Sequence, residues 1–434
     1  MKLKSTFLFI ASFLGLQASA QTWVADTVVM GGSYANDVFY SMKNGGQKTE
    51  SNTNWHIAFM TTAPGPNGNV SVIANHVQGG VKVYSLNRSA SADFTSYTSV
   101  AASDTATQLY NADTSLMWGA VNNNRVVSDP FDYGWGRYDI GSHNVIGDTL
   151  YLLKTPAGIY KLWIQNYRSA PSDSVQYMFR LAKLDNSEDT LIRIYRKPTY
   201  ENKLFAYYDI ANKTFRDREP NRNSWDIMFT RYITTIMMPS PTPYPVMGVM
   251  SNLGVTVAEV KAVHPDTVNY NNYAYGHYSN IIGDDWKSFN NTTFSWTIDT
   301  NATYFIRSSN TQEIYQLVFT GFGGSTSGTI EFKKRKVADV TTVNDVNSRI
   351  SRYAVVPNPA SANANIVLEA KGNVENAQLA VYDLAGRMLM SNKVNIKEGM
   401  NAYAIDVAAY APGVYIVNIS GEDVKLSERI VVQH

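Results

Sequence analysis

Apolar and polar residues alternate with a period of two over most of this chain, and helical periodicity is nearly absent. The clearest runs are NVSVIANHV (residues 69–77), GGVKVYSL (79–86), DTLYLLKT (148–155), GIYKLWIQNY (158–167), DTLIRIYRK (189–197) and TIEFKKRK (329–336). Each is rich in Val, Ile, Tyr and Phe and is bounded by Gly, Asn, Asp, Ser or Pro. Such runs predict half-buried strands joined by turns, and hence sandwiches or barrel-like sheets.

The pattern repeats. DVFYSMKNGGQKTESNTNWHIAFMTT (37–62) lines up with LFAYYDIANKTFRDREPNRNSWDIMFTRY (204–232): an aromatic strand, a polar turn, then Trp-x-Ile-x-Phe starting at Trp55 and at Trp225. Downstream, DTLYLLKTPAGIYKLWIQNY (148–167) matches NATYFIRSSNTQEIYQLVFTGF (301–322), and closing strands VQYMFRLAKL and GTIEFKKRK follow. Trp118 and Trp135 lie between the blocks in the first copy, Trp286 and Trp296 in the second. Landmarks kept in one order predict a duplication, with β modules at 21–198 and 199–338. On Trp-x-Ile-x-Phe the three apolar side chains share a strand face and belong to the core. Asp226 turns the other way, to cap a turn or pair with Arg231; His56 stands there in the first copy. Residues 339–354 carry little aromatic content and read as a linker. A third unit, 355–434, shows six short strand patterns, the size of a small sandwich. The expected fold class is all-β: two tandem antiparallel modules, then an immunoglobulin-like β-sandwich.

Composition adds location. In 434 residues, 37 Lys and Arg balance 36 Asp and Glu for a net charge of +1, and no polybasic stripe appears. A nucleic-acid partner is therefore not expected. The start, MKLKSTFLFIASFLGLQASAQT, has basic Lys2 and Lys4, a short apolar core and Ala18-Ser19-Ala20. Residues 1–20 thus read as a signal peptide cleaved before Gln21. There is no cysteine, so an exported chain must rely on core and sheet hydrogen bonds, not disulfides.

The last unit carries VVPNPA (355–360), VYDLAGR (381–387), PGVYIVNI (412–419) and a terminal ERIVV. These motifs, in this order, resemble the C-terminal sorting domain of type IX secretion cargo of Bacteroidetes. Matching positions are Pro357, Asn358, Pro359, Asp383, Gly386, Arg387, Gly413 and Tyr415. Gly386 is free to take a positive φ in a hairpin turn. The chain ends on Val432-Gln433-His434, where the family often has a basic residue. The resemblance implies recognition by the outer-membrane translocon, cleavage of the domain, and release or attachment to surface lipopolysaccharide. The mature protein is then secreted or held on the outer cell surface.

The phrases WDIMFTRY (225–232), NWHIAF (54–59) and GIYKLWIQNY make the repeated modules similar to the HmuY family of secreted haem-binding β proteins, which implies haem as cofactor. Haem needs axial His or Met inside an apolar pocket. His76 and His143, beside Gly-rich turns, are the candidates in the first copy; Met250, in PVMGVMSNLG, is the candidate in the second. His277, Asp284 and Asp285 in GHYSNIIGDDW combine imidazole and carboxylates and form a candidate metal set. GFGGSTSG (321–328) lacks the strand-to-helix context of a phosphate loop and reads as a turn. No H-E-x-x-H, G-x-S-x-G or Cys nucleophile occurs, so no catalytic residue is assigned. The expectation is a non-enzymatic ligand-binding protein with haem first. A cell-surface adhesin or glycan-binding protein is the alternative, since Tyr and Trp stack on sugars; a hydrolase comes last.

Overall fold

The computed structural model describes residues 22–61, 70–129, 131–142, 144–168, 175–196, 198–308, 311–339, 349–383, 386–421 and 424–433. The signal peptide and part of the linker lie outside these residues. The described chain is all-β: antiparallel sheets with only short helical turns.

One sandwich stacks a five-stranded sheet on a four-stranded one. The first has the order Val24–Val29, Thr329–Asp339, Glu313–Phe322, Thr303–Ser308, Val255–Val260; the second runs Pro241–Ser251, Ile227–Met237, Asn36–Ser41, Gly45–Ser51. Between them lie Val28, Tyr40, Ile227, Phe229, Trp286 and Phe332, all buried. In Thr329–Asp339 it is Ile330, Phe332 and Lys334 that turn inward, which is the period-two pattern with one cation inserted. Pro241, Pro243 and Pro245 sit at alternate positions of the edge strand, so it offers no row of outward N–H groups to a further strand.

The other sandwich stacks a seven-stranded sheet on a four-stranded one. Thr190–Tyr195, Val175–Lys183 and Gly158–Arg168 lead the large sheet, which branches to Asn144–Gly147 and Gly136–Asp139 and to Thr149–Thr155 and Lys82–Ser89. The small sheet runs Thr214–Arg216, Phe205–Asp209, Ile57–Met60, Val72–Ala74. Ile57, Phe59, Trp135, Tyr151, Leu162 and Phe179 fill this core.

The two sandwiches exchange strands. The hairpin Asn36–Ser41/Gly45–Ser51, from the first sequence copy, pairs with Ile227–Met237 of the second, and Phe205–Asp209/Thr214–Arg216 pairs with Ile57–Met60 of the first. Registers agree: Tyr40 faces Ile227 as Tyr208 faces Ile57. Val24–Val29 closes one large sheet as Thr190–Tyr195 closes the other. Bulges fall at equivalent places, between Ile164 and Asn166 and between Phe319 and Gly321. The packed units therefore cross the boundary expected between residues 198 and 199 twice.

A central cluster joins the sandwiches. The Trp55–Tyr207 rings lie 5.1 Å apart at 85°, and their counterparts Phe39–Trp225 also 5.1 Å apart, at 78°. Asn75 donates from Nδ2 to the carbonyls of Asn52 (2.7 Å) and Trp55 (3.0 Å); Asn252 repeats this with Arg222 (2.8 Å) and Trp225 (2.7 Å). Fully buried Arg218 bonds Asp37 at 2.9 Å and lies over both Trp55 and Tyr207. The Asp226 carboxylate caps the Met42 N–H at 2.7 Å and accepts from Ser41 Oγ at 3.4 Å. It is thus the turn-cap alternative that the fold realises.

Residues 349–433 form a third sandwich: Ile350–Val356, Asn363–Ala370 and Gly399–Asp406 against Met388–Ile396, Val374–Asp383, Gly413–Gly421 and Val424–Val432. Ile366, Leu368, Val381, Val417 and Ile430 lie in its own core. It leans on the sandwich with the seven-stranded sheet through Val367 and Met400, and Tyr138 Oη donates to the Met400 carbonyl at 3.0 Å.

Candidate functional site

Of the haem-ligand candidates, His76 presents no free ligating nitrogen. His76 Nδ1 bonds the Val81 carbonyl at 2.8 Å, and Nε2 accepts from the Asn111 N–H at 3.2 Å. Those partners fix the neutral tautomer, and burial pushes its pKa down to about 4. The ring is a clip between loops, with both nitrogens spent on the backbone. Met250 is buried in the central cluster beside Trp225 and fills space there. His143 lies outside the described residues.

The metal set is corrected. Among the described residues no three His, Asp or Glu side chains gather to hold an ion. Asp285 bonds Lys261 at 2.6 Å, and His277 is exposed. What sequence reasoning missed here is Lys287. It is buried and donates to the Met247 carbonyl at 2.7 Å and the Asp284 carbonyl at 3.0 Å. Burial pushes its pKa down to about 8.

The exchange creates two equivalent clefts, each where a closing strand, an exchanged hairpin and the preceding strand meet. The wider has a volume of about 730 Å³ and is lined by Val24, Asp26, Met42, Lys43, Tyr315 and Lys334, with Arg335 and Lys336 at its rim. The narrower, about 190 Å³, is lined by Tyr160, Leu181, Ile192, Tyr208 and Ile210, with Glu188 and Lys213 paired at 3.3 Å at its rim. Pairing registers put Lys334 where the other cleft has Leu181, Asp26 where it has Ile192, and Tyr315 where it has Tyr160.

In the wide cleft Lys334, 8% exposed, lies 3.7 Å from Asp26 and 4.6 Å above the Tyr40 ring. Burial lowers the Lys334 pKa, with Asp26 opposing. Tyr40 Oη donates to Asp26, and burial holds this phenol well above its ordinary pKa. At the rim Glu313 bridges Lys43 (3.2 Å) and Lys336 (2.9 Å), while Arg335 bonds Asp266 at 3.3 Å. The cleft is thus a preformed surface of ion pairs, suited to a ligand that offers both donors and acceptors. Asp26 and Lys334 stand far apart in the sequence. Their only signal was a charge at an inward position of a strand.

The sorting motif is knitted to the final strand. The Asn358 side chain donates to the Arg429 carbonyl and accepts from the Val431 N–H, both at 2.8 Å, so its amide mimics a strand edge. Pro357 and Pro359 flank it. Asp383 accepts from the Arg387 N–H at 2.9 Å and Nε at 3.0 Å, and Gly386 adopts φ +83°. Gly413 opens its strand, and Tyr415 Oη donates to the Ala411 carbonyl at 2.7 Å.

Residues 354–433 match the family model described as a secretion system C-terminal sorting domain. The unit is a type IX sorting domain, which marks the protein for export and for secretion or attachment at the outer cell surface. No curated protein matches the chain. Among solved structures, dimeric latent PorU from Porphyromonas gingivalis is similar at 10% identity over 67% of this chain and 32% of that one, with a TM-score of 0.17. The chain spans about a third of that protein's length, and so loose a superposition says nothing of the exchanged sandwiches.

Proposed function

We propose that this is a non-enzymatic binding protein of the outer surface that holds a hydroxyl-rich ligand, a glycan, in the wide cleft. The divergence of the two clefts supports this reading. The frames agree and each cleft carries an ion pair at its rim, but where the narrow one sets Leu181 and Ile192 inward the wide one sets Lys334 and Asp26. Ion pairs as open to solvent as Asp26–Lys334 and Lys43–Glu313 contribute little to stability, so their retention fits a binding role better than a packing one. Sugars offer donors and acceptors in both senses, as the Asp26–Lys334 and Glu313–Lys43 pairs require. Haem finds no open ligand at His76 or Met250.

The test is a glycan array probed with the labelled full chain and with the double variant Asp26→Ile/Lys334→Leu. Glycans bound by the wild type and lost by the variant support the reading. A hemin titration that gives a Soret band untouched by the variant would remove it and return haem to first place. Recognition by the type IX translocon, cleavage of the sorting domain and attachment to lipopolysaccharide belong to the same proposal. Deleting residues 354–433 should leave the protein inside the cell, and the mass of the wild-type surface form reads the cleavage.

A further inference from the structure

Away from both clefts, Lys287–Asn290 and Ser295–Ile298 form a two-stranded sheet that pairs with no other strand among the described residues. Its outer surface is aromatic. Phe289 and Trp296 stand directly opposite each other, rings 5.1 Å apart, with 44% and 37% of their area exposed. Phe294, near the turn, is 79% exposed and takes φ +50°. For a bulky residue that is a strained backbone state, which glycine or asparagine would occupy more easily. Phe294 gains no core burial in return. Strain retained without burial is a feature seen where the side chain has work to do outside the fold.

The platform is also held in place. Phe322 packs edge-on against Trp296 at 4.9 Å, and Lys287 below them is anchored by backbone carbonyls. A Cβ on Gly324 would come within 2.9 Å of Trp296 Nε1, so glycine there leaves the indole its room. Between the rings the hairpin carries only uncharged polar residues: from Ser288 to Ile298 there is no Asp, Glu, Lys or Arg. Asn290 and Thr293 are exposed beside the aromatic faces.

We infer that this hairpin is a second recognition surface, on which the rings of a neutral polysaccharide stack. Aromatic faces take the apolar faces of sugar rings, and amides and hydroxyls beside them take the sugar hydroxyls. The exposed span from Ser288 to Ile298 has no charged side chain, Lys287 being buried beneath it, and this matches a neutral chain. Interleaved Asn and Thr side chains would be costly to bury in lipid hydrocarbon. The inference shares with the cleft reading only the ligand class, and neither site requires the other.

Native gels cast with soluble neutral polysaccharides (dextran, mannan, laminarin) test it, with the full chain as the migrating species. Alginate gels and phosphatidylcholine vesicles serve as charged and lipid counterparts. At least one neutral gel should retard the wild type, and Trp296→Ala should weaken that retardation tenfold or more. Phe294→Gly removes a ring while relieving the strained backbone, so its melting temperature should hold or rise as retardation falls. Loss of retardation in that variant therefore cannot be unfolding. No retardation of the wild type in any neutral gel overturns the inference, as does an unchanged Phe294→Gly, or vesicle binding abolished by the same change. Retardation lost in Asp26→Ile/Lys334→Leu but kept in both hairpin variants would overturn this site and leave the cleft reading standing.

Discussion

Leu181 and Ile192 turn hydrocarbon into one corner of the sandwich with the seven-stranded sheet, whereas Lys334 and Asp26 stand at the same register positions of the sandwich with the five-stranded sheet, whose corner is wider. The frames around them agree in strand order, bulges and capping asparagines. The difference therefore concerns what each corner does, because backbone constraints are common to both. Frame and corner can be tested separately, and the frame should respond more strongly.

The largest effect is expected at the shared centre. Arg218 and Asp37 come from exchanged hairpins of opposite copies and are both buried. Arg218→Ala leaves Asp37 buried without its partner and should cost about 3–5 kcal/mol in urea unfolding. Asp37→Leu/Arg218→Met should recover much of the loss. A single variant close to wild type would mean that the centre is wet and that the two sandwiches are loosely joined.

Asn75 and Asn252 measure the equivalence itself. Each amide satisfies two carbonyls just before the Trp-x-Ile-x-Phe strand. Alanine at either should cost about 1–3 kcal/mol. A gap between the two variants of more than about 1 kcal/mol would break the likeness of the frames.

Glu219 is a feature of one side only. It is buried, and its carboxylate accepts from the Leu204 N–H and, at 2.8 Å, from the Phe205 N–H. Burial raises its pKa to about 8, against those two bonds and Lys203. Between the ordinary carboxylate range and pH 8 the folded state keeps a proton that the unfolded state has released. Stability therefore falls as pH rises through that window, with a slope of at most about 1.4 kcal/mol per pH unit, and levels off above it. Thermal melts of Glu219→Gln should show a flatter decline from pH 5 to 8. Identical pH profiles would mean that Glu219 is ionised in the fold.

Much of this frame was legible in the sequence. Alternation marked the strands, and the shared Trp-x-Ile-x-Phe landmarks fall at equivalent registers, Tyr208 facing Ile57 as Tyr40 faces Ile227. The exchange was not legible, because the pattern of a hairpin states which face is buried and not which copy covers it. Both hairpins carry the same aromatic pattern, so either could serve either partner. His76 misled for a related reason: a histidine at a Gly-rich turn looks like a pocket mouth, yet closing that turn consumed both its nitrogens. Asn75 in IANH and Asn252 in MSNL were visible as a shared residue after matching strands, and alignment alone would have found them. The sorting unit was read almost whole, since its motifs lie close along the chain and bond to one another.

The smallest stability effect should come from making the corners alike. Asp26→Ile/Lys334→Leu gives the wide cleft the inward residues of the narrow one, at positions where the backbone already tolerates them. The Asp26–Lys334 pair is only half-buried, and such pairs contribute little to stability, so the melting temperature should stay within a few degrees or rise. Asp26→Ile alone is the necessary contrast. It strands the Lys334 ammonium over Tyr40 and removes the acceptor of the Tyr40 hydroxyl, and so should be clearly worse than the double variant. If the double variant is as damaging as the single one, the pair is structural, and the open corner follows from packing instead of recognition.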